Sequence, residues 1–383
     1  MPVKNPFTAS FGTSPPVLVG RDDVLEDIGD GLAEGPGALE RAVLLTGVRG
    51  VGKTVMLNAI EDQARSLGWV TISTTALPGF LDRLVDEELP RLLHKHHSRP
   101  LERRVTGVSI AKLAGFNRET IDRFPRIPGM ASMLTELLEI LEARGVGLLI
   151  TVDEVHRNVA DEITRLGALV QHLFREEREL AIAMSGLPAA VSDLLSDRHP
   201  ATFIRRASRF TLGAVDEADV VRALREPVEA AGRSWAPEAL ERAATATGGY
   251  PFLIQLIGTH VWRRAGSSTV LDDAAASAGV ARARRQLGQL VHEPALRDLS
   301  PTDRTVLVAM AIDDDVSSVR DLAERLDVEP GYISVYRARL MDAGMVSPAG
   351  HGRVRLEMPY LRDYLREHAA SLAGESLRGE MGR

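Results

Sequence analysis

The sequence predicts an α/β fold in which a parallel sheet is covered by helices, with a small helical domain and a helix-and-hairpin unit behind it. Three observations predict it. Residues 47 to 54 read Gly-Val-Arg-Gly-Val-Gly-Lys-Thr, directly behind the apolar run Ala42-Val-Leu-Leu-Thr46. Apolar strand candidates at 42–46, 69–73, 147–154 and 180–186 alternate with helical stretches, which is the series of a parallel sheet. Beyond residue 299, a helix-turn-helix pattern runs into a glycine-tipped hairpin. With 383 residues, the chain exceeds what one core usually fills. We divide it into a nucleotide-binding core (1–212), a helical lid (213–298) and a C-terminal domain with its tail (299–383).

Composition narrows the class. Hydrophobic content of 44% and charged content of 26% are those of a globular protein. The absence of cysteine excludes disulfides and thiolate chemistry. No run approaches the roughly 18 apolar residues of a membrane span, and Met1-Pro-Val-Lys-Asn-Pro lacks the apolar stretch of a signal peptide, so a cytoplasmic protein without membrane contact is expected. The net charge of −7 gives no global attraction for nucleic acid, so any such contact must be local.

The loop at 47–54 is a complete phosphate loop. Gly47, Gly50 and Gly52 let successive N–H groups converge on phosphate oxygens, with Val48, Arg49, Val51 and Val55 completing the wall. Lys53 is expected to neutralise the β and γ phosphates. Thr54 is expected to ligate magnesium at the mouth of the following helix. Such a loop needs an acidic partner at the end of another buried strand. Gly147-Leu-Leu-Ile-Thr-Val-Asp153-Glu154 supplies one: Asp153 would hold magnesium through water, and Glu154 would orient or deprotonate the attacking water. Trp69-Val-Thr-Ile-Ser73 is a second strand, and residues 77–146 read as mostly helical around an irregular, basic-leaning insert at 98–128. The helix at 161–179 is amphipathic, and Leu180–Gly186 is a further buried strand. The parallel order places that strand beside Asp153, with the Ser185 hydroxyl near the γ phosphate.

The order of Val19-Gly20-Arg21, the loop at Gly47 to Thr54, Asp153-Glu154, Ser185 and Arg205-Arg206 resembles the AAA+ and STAND ATPases. The resemblance implies ATP and Mg2+ as ligands, with Val19, Gly20 and Arg21 near the adenine. It also implies that an arginine among Arg205, Arg206 and Arg209 reaches the γ phosphate of a neighbouring subunit, which would make hydrolysis depend on a homo-oligomer formed with ATP. The lid helices, from Asp216 and from Pro237 to Thr247, lead into Gly248-Gly249-Tyr250-Pro251. This resembles the Gly-x-Pro element of STAND and archaeal-type ATPases. Pro251 would then be an apolar contact that couples the lid to nucleotide.

In the C-terminal domain, Val319–Leu326 and Gly331–Met341 make the two helices, and Met345–Glu357 folds as a hairpin; together they read as a winged helix. Ile333, Tyr336 and Leu340 share the packing side of the second helix. Tyr332, Ser334, Arg337 and Arg339 on that helix, with Arg353 and Arg355 on the wing, are the candidate contacts to double-stranded DNA. Residues 300–368 nevertheless carry nine arginines against twelve Asp and Glu. The full arrangement is similar to the origin-initiator (ORC and Cdc-six-like) and STAND-related branch. It implies an ATPase that couples nucleotide state to DNA binding, or alternatively a signalling switch whose winged helix docks a protein effector.

Overall fold

The computed structural model describes residues 4–10, 12–96, 129–194 and 204–380. The insert at 98–128 lies outside the described residues. The core unit runs α1 (Asp22–Glu34), β1 (Ala42–Thr46), α2 (Lys53–Ser66) and β2 (Val70–Thr75). It continues with α3 (Phe80–Arg83) and α4 (Leu89–His96), joined through a π-helical turn, then α5 (Met130–Glu142), β3 (Leu148–Val155), α6 (Ala160–Arg175), β4 (Leu180–Gly186), α7 (Pro188–Leu194) and β5 (Ser208–Thr211).

These five strands form one parallel sheet in the order β2-β3-β4-β1-β5. Because side chains alternate across a strand, β1 sends Val43 and Leu45 to the α1/α2 side and Leu44 to the other, where Phe80, Leu134 and Leu166 pack. Both faces are covered, which is why the strands read as continuous apolar runs. The order also sets the site. β4 stands between β1 and β3, so Ser185 lies at the carboxyl edge between the phosphate loop and Asp153. The fifth strand was not among the expected ones; Ser-Arg-Phe-Thr is short and half polar, and its edge position makes that composition tolerable.

Residues 213–298, expected as the lid and so labelled below, contain α8 (Glu217–Ala230), β6 (Ser234–Trp235), α9 (Pro237–Thr247), α10 (Pro251–Ala265), β7 (Val270–Leu271), α11 (Asp273–Leu287) and α12 (Glu293–Arg297). Between α9 and α10 the chain reverses at Gly248-Gly249. At Gly249 φ is +72° and a Cβ would strike the Val215 carbonyl, so only glycine permits the 2.7 Å bond from Val215 N to Gly249 O.

The C-terminal unit comprises α13 (Pro301–Met310), β8 (Val316–Ser318), α14 (Val319–Leu326), α15 (Pro330–Asp342), β9 (Val346–Pro348), β10 (Arg353–Leu356) and α16 (Leu361–Glu380). Its strands form an antiparallel sheet ordered β8-β10-β9, one strand more than the hairpin expected from sequence. A capping box between Ser300 and Asp303 starts α13. One apolar core runs without a break from Val220 in the lid to Leu365 in α16, so residue 298/299 marks no gap in packing. Tyr360 joins the two parts: its hydroxyl donates to Ala246 O at 2.6 Å and accepts from Arg284 at 2.9 Å.

Candidate functional site

The carboxyl ends of β1, β3 and β4 open into a cavity of about 790 Å3. Its walls include the phosphate loop, Asp153, Glu154, the lid residues Pro251 and Gln255, and Asp342 at the end of α15. Lys53 Nζ donates to Gly47 O and Val48 O at 2.8 and 2.9 Å, which holds the loop curled around the ammonium group. Burial lowers the Lys53 pKa to about 8; Arg49 adds to that shift, while Asp153 and Glu154 oppose it.

Asp153 is the hub of the acidic side. Its Oδ2 accepts from Thr54 Oγ1 at 2.6 Å, and its Oδ1 accepts from Glu154 N at 2.9 Å and from Ser185 Oγ. Ser185 is fully buried (0% exposed), and its hydroxyl is spent on Asp153. The hydroxyl expected beside the γ phosphate thus orients the Asp153 carboxylate.

The strand pairing of β3 and β4 slips between Val152 and Val155, and Glu154 sits in the slip with φ at +58°. A left-handed conformation at a residue with a long side chain costs of order 1–3 kcal/mol, and such strain gathers at functional sites. It turns Glu154 out of the sheet alternation, so that consecutive carboxylates 153 and 154 both line the cavity. The donor set suits a magnesium-bound triphosphate. Thr54 and Asp153 supply hard oxygens already within hydrogen-bond reach of each other, next to a loop whose lysine is charged below pH 8.

Val17, Leu18, Val19 and Arg21 also line the cavity, with Arg21 donating to Gly213 O at 2.6 Å. Gly20, whose φ is +63°, packs against Val215 and Asp219. Val48 and Gly47 are not part of the cavity wall; they act through their carbonyls on Lys53. Arg205 and Arg206 lie elsewhere. They form a 3-10 turn ahead of β5, and the parallel register of Val43 with Ser208 puts that turn at the end of the sheet opposite the phosphate loop. Arg209 follows on β5, donating to Arg205 O at 3.0 Å.

Residues that sequence reasoning passed over complete the site. Tyr250, beside the expected Pro251, donates its hydroxyl to Arg49 O at 2.5 Å, and a Cβ at Gly50 would collide with that hydroxyl. The glycine of the phosphate loop is thus required by the lid as well as by the phosphate. Arg49 itself reaches Asp298 at 3.6 Å, and Arg157, just past β3, pairs with Asp342 of α15 at 2.9 Å. An N-terminal strap crosses from lid to core: Thr8 N donates to Gln255 Oε1 at 3.1 Å, and Gly12 O accepts from Asn58 of α2 at 2.9 Å. The only sequence signal for these was the Gly-Gly-Tyr-Pro turn.

On the C-terminal unit, Ile333 and Leu340 are buried and Tyr336 is half-buried, as the spacing requires. Tyr332 and Ser334 are exposed, Arg337 half-buried, and Arg353 exposed. Arg339 is exposed and also pairs at 2.7 Å with the buried Asp303 of the capping box. Arg355 lies 3.4 Å from Asp315.

Residues 17–183 match the family model of an AAA ATPase domain, and residues 289–365 match a domain of unknown function. No curated protein sequence matches the chain. Among solved structures, the fold is similar to the ORC2 protein of Aeropyrum pernix in ADPNP–ADP complexes, with a TM-score of 0.63 at 15% identity and 98% of each chain covered. It is also similar to a Walker-type ATPase of Pyrococcus abyssi, with a TM-score of 0.65 at 15% identity, covering 91% of this chain and 96% of that one.

Proposed function

Because residues 17–183 form an AAA ATPase domain, we propose that this chain binds and hydrolyses ATP with Mg2+ and uses the nucleotide state to set how its C-terminal unit engages duplex DNA. The observation that carries the reading is the meeting of Thr54, Ser185 and Glu154 on one carboxylate, Asp153, beside a lysine-bearing phosphate loop. Lys53 and the amides of residues 50–54 hold the β and γ phosphates. Thr54 and Asp153 hold the magnesium ion, which when bound neutralises phosphate charge as a Lewis acid. Glu154, exposed on the cavity wall, orients the attacking water and takes its proton. Val19 to Arg21 and the strap enclose the base.

Coupling follows from who touches the loop. Tyr250 bonds the lid to the carbonyl of Arg49, so any movement of the loop around phosphate is passed to α10. The Arg157–Asp342 pair ties the end of α15 to the segment behind Glu154. We read residues 301–356 as a winged helix in which α15 and the β9–β10 hairpin contact DNA, through Arg337 and Arg353 above all. Arg205 or Arg206, placed away from their own cavity, suit action on a second copy's phosphate, so turnover depends on assembly. Glu154→Gln should leave ATP binding intact and abolish turnover, while duplex DNA should bind with a salt-dependent affinity that Arg337→Glu weakens. Unchanged turnover removes Glu154 from its role, and absence of DNA binding at low salt removes the DNA part.

A protein-docking reading of the same unit is favoured by a specific observation. Arg339 and Arg355 are engaged by carboxylates, while Tyr332 (43% exposed) and Val335 (58%) present an apolar surface on α15. A partner retained only with ATP, together with no affinity for DNA, would select this second reading.

A further inference from the structure

We propose that the lid carries a separate phosphate-binding surface, a groove between α10 and α11 lined by Arg263, Arg264, Arg282 and Arg285, which grips the backbone of duplex DNA. The proposal rests on the DNA reading above and extends it to a surface that reading leaves without a role.

Charge is the first support. Residues 251–292 hold five arginines against two aspartates in a chain of net charge −7, so the positive charge is segregated here. Both aspartates are turned to other tasks. Asp272 caps α11 by accepting from Ala275 N at 2.8 Å, and Asp273 pairs with Arg242 at 2.6 Å. No carboxylate lines the groove.

Geometry is the second. The two helices approach closely where Gly279 meets Val261, and this leaves a groove of about 350 Å3 along their seam. Arg263 and Arg264 enter from one side. Arg282 and Arg285, three apart and so on the same face of α11, enter from the other. All four are exposed, and their planar forks suit phosphate oxygens. Buried His260 lies at the seam, bonded to Gln286 at 2.6 Å. Burial holds its pKa below the ordinary value, with Arg263 and Arg282 adding to the effect and Gln286 opposing it. Helix-dipole stabilisation accounts for arginines in a last helical turn, but Arg282 lies before that turn of α11.

The lining chooses the ligand. It contains no Phe, Tyr, Trp or large aliphatic side chain on which a base or acyl chain could rest. Cations arrayed along an open groove match successive phosphates of a duplex rather than a single nucleotide.

The test uses the full chain and a short random-sequence duplex, with binding followed by fluorescence anisotropy across a salt series. Arg263→Glu with Arg282→Glu should weaken binding by about tenfold or more at low salt. Arg264→Gln with Arg285→Gln should lower the slope of log affinity against log salt by about 2, roughly one unit for each lost phosphate contact. ATP turnover, whose residues lie elsewhere, should be retained in both variants and so reports folding. Charge reversal at the exposed core residues Arg91 and Arg175 controls for net charge and should leave the slope unchanged. Wild-type affinity and slope in the groove variants, while Arg337→Glu weakens binding, overturn the groove and leave the DNA reading standing. Equal weakening by the core control also overturns the groove. If the wild-type chain binds no duplex, the DNA reading itself fails. Binding to phosphatidylglycerol vesicles alone, abolished by the groove variants, overturns the assignment to DNA.

Discussion

At Asp153 both carboxylate oxygens are held by named donors, so the group proposed to meet magnesium is oriented before any ligand arrives. Ser185→Ala should therefore act through Asp153. It removes one donor from a half-buried carboxylate, and the expected outcome is a higher Mg2+ requirement, with half-saturation shifted up about tenfold, measured by turnover against magnesium concentration. Glu154→Gln keeps the size and the strained backbone but cannot take a proton, so turnover should fall by about 10²-fold or more with nucleotide affinity unchanged. Lys53 offers a pH signature. Its pKa is depressed to about 8, so its charge is complete below that value and lost as pH rises through it. ATP affinity should be flat from pH 6.5 to 7.5 and then weaken by up to about tenfold per pH unit above 8, as one linked proton requires. Lys53→Arg, charged throughout, should remove that dependence in an equilibrium titration. At this scale the residue types were legible from sequence, because chemistry fixes them; the φ of Glu154 was not, since a slip in strand register leaves no mark on composition.

The turn between α9 and α10 does more than reverse the chain. It delivers Tyr250 to Arg49 O, so a lid element reads the loop's backbone rather than the ligand. Tyr250→Phe removes one hydrogen bond and leaves the Arg49 carbonyl without that donor, a loss of about 1–2 kcal/mol. The expected result is faster hydrogen exchange at residues 248–252 in the ATP-bound protein, with the melting temperature lowered by a few degrees. The turn itself was legible as Gly-Gly-Tyr-Pro. Pro251 stood out for its Gly-x-Pro resemblance and lines the cavity, while the bond from Tyr250, the residue before it, has no counterpart in that pattern. Likewise, helix periodicity placed Ile333 and Leu340 inward on α15, but it could not show that Arg339 would spend its charge on Asp303, thirty-six residues away.

Lid and C-terminal unit share one apolar core, and His292 sits in their joint with Nε2 bonded to Pro359 O at 2.9 Å. Burial depresses its pKa from 6.5 to about 4, with the Pro359 bond opposing the shift. Between those values the unfolded chain takes up a proton that the folded one refuses, so stability falls as pH drops through the window, by on the order of 3 kcal/mol in full. His292→Gln, which can still donate to Pro359 O and does not titrate there, should flatten the melting temperature between pH 6.5 and 4. Across the larger joint, Asp342→Asn removes the charge facing Arg157 and should reduce the difference in DNA affinity between the ATP-bound and ATP-free protein, measured by anisotropy. By itself the sequence determined the phosphate loop, the acidic pair, the parallel sheet and the helix pattern behind it, because each is written in contiguous residues whose spacing is set by local backbone geometry. Only the tertiary structure decided the fifth strand, the strap, the unbroken core at residue 298/299 and the partners of Tyr250, Arg157 and Arg339. Those depend on which surfaces meet at long range, and burial and ion pairing between distant segments have no period that a linear chain can display.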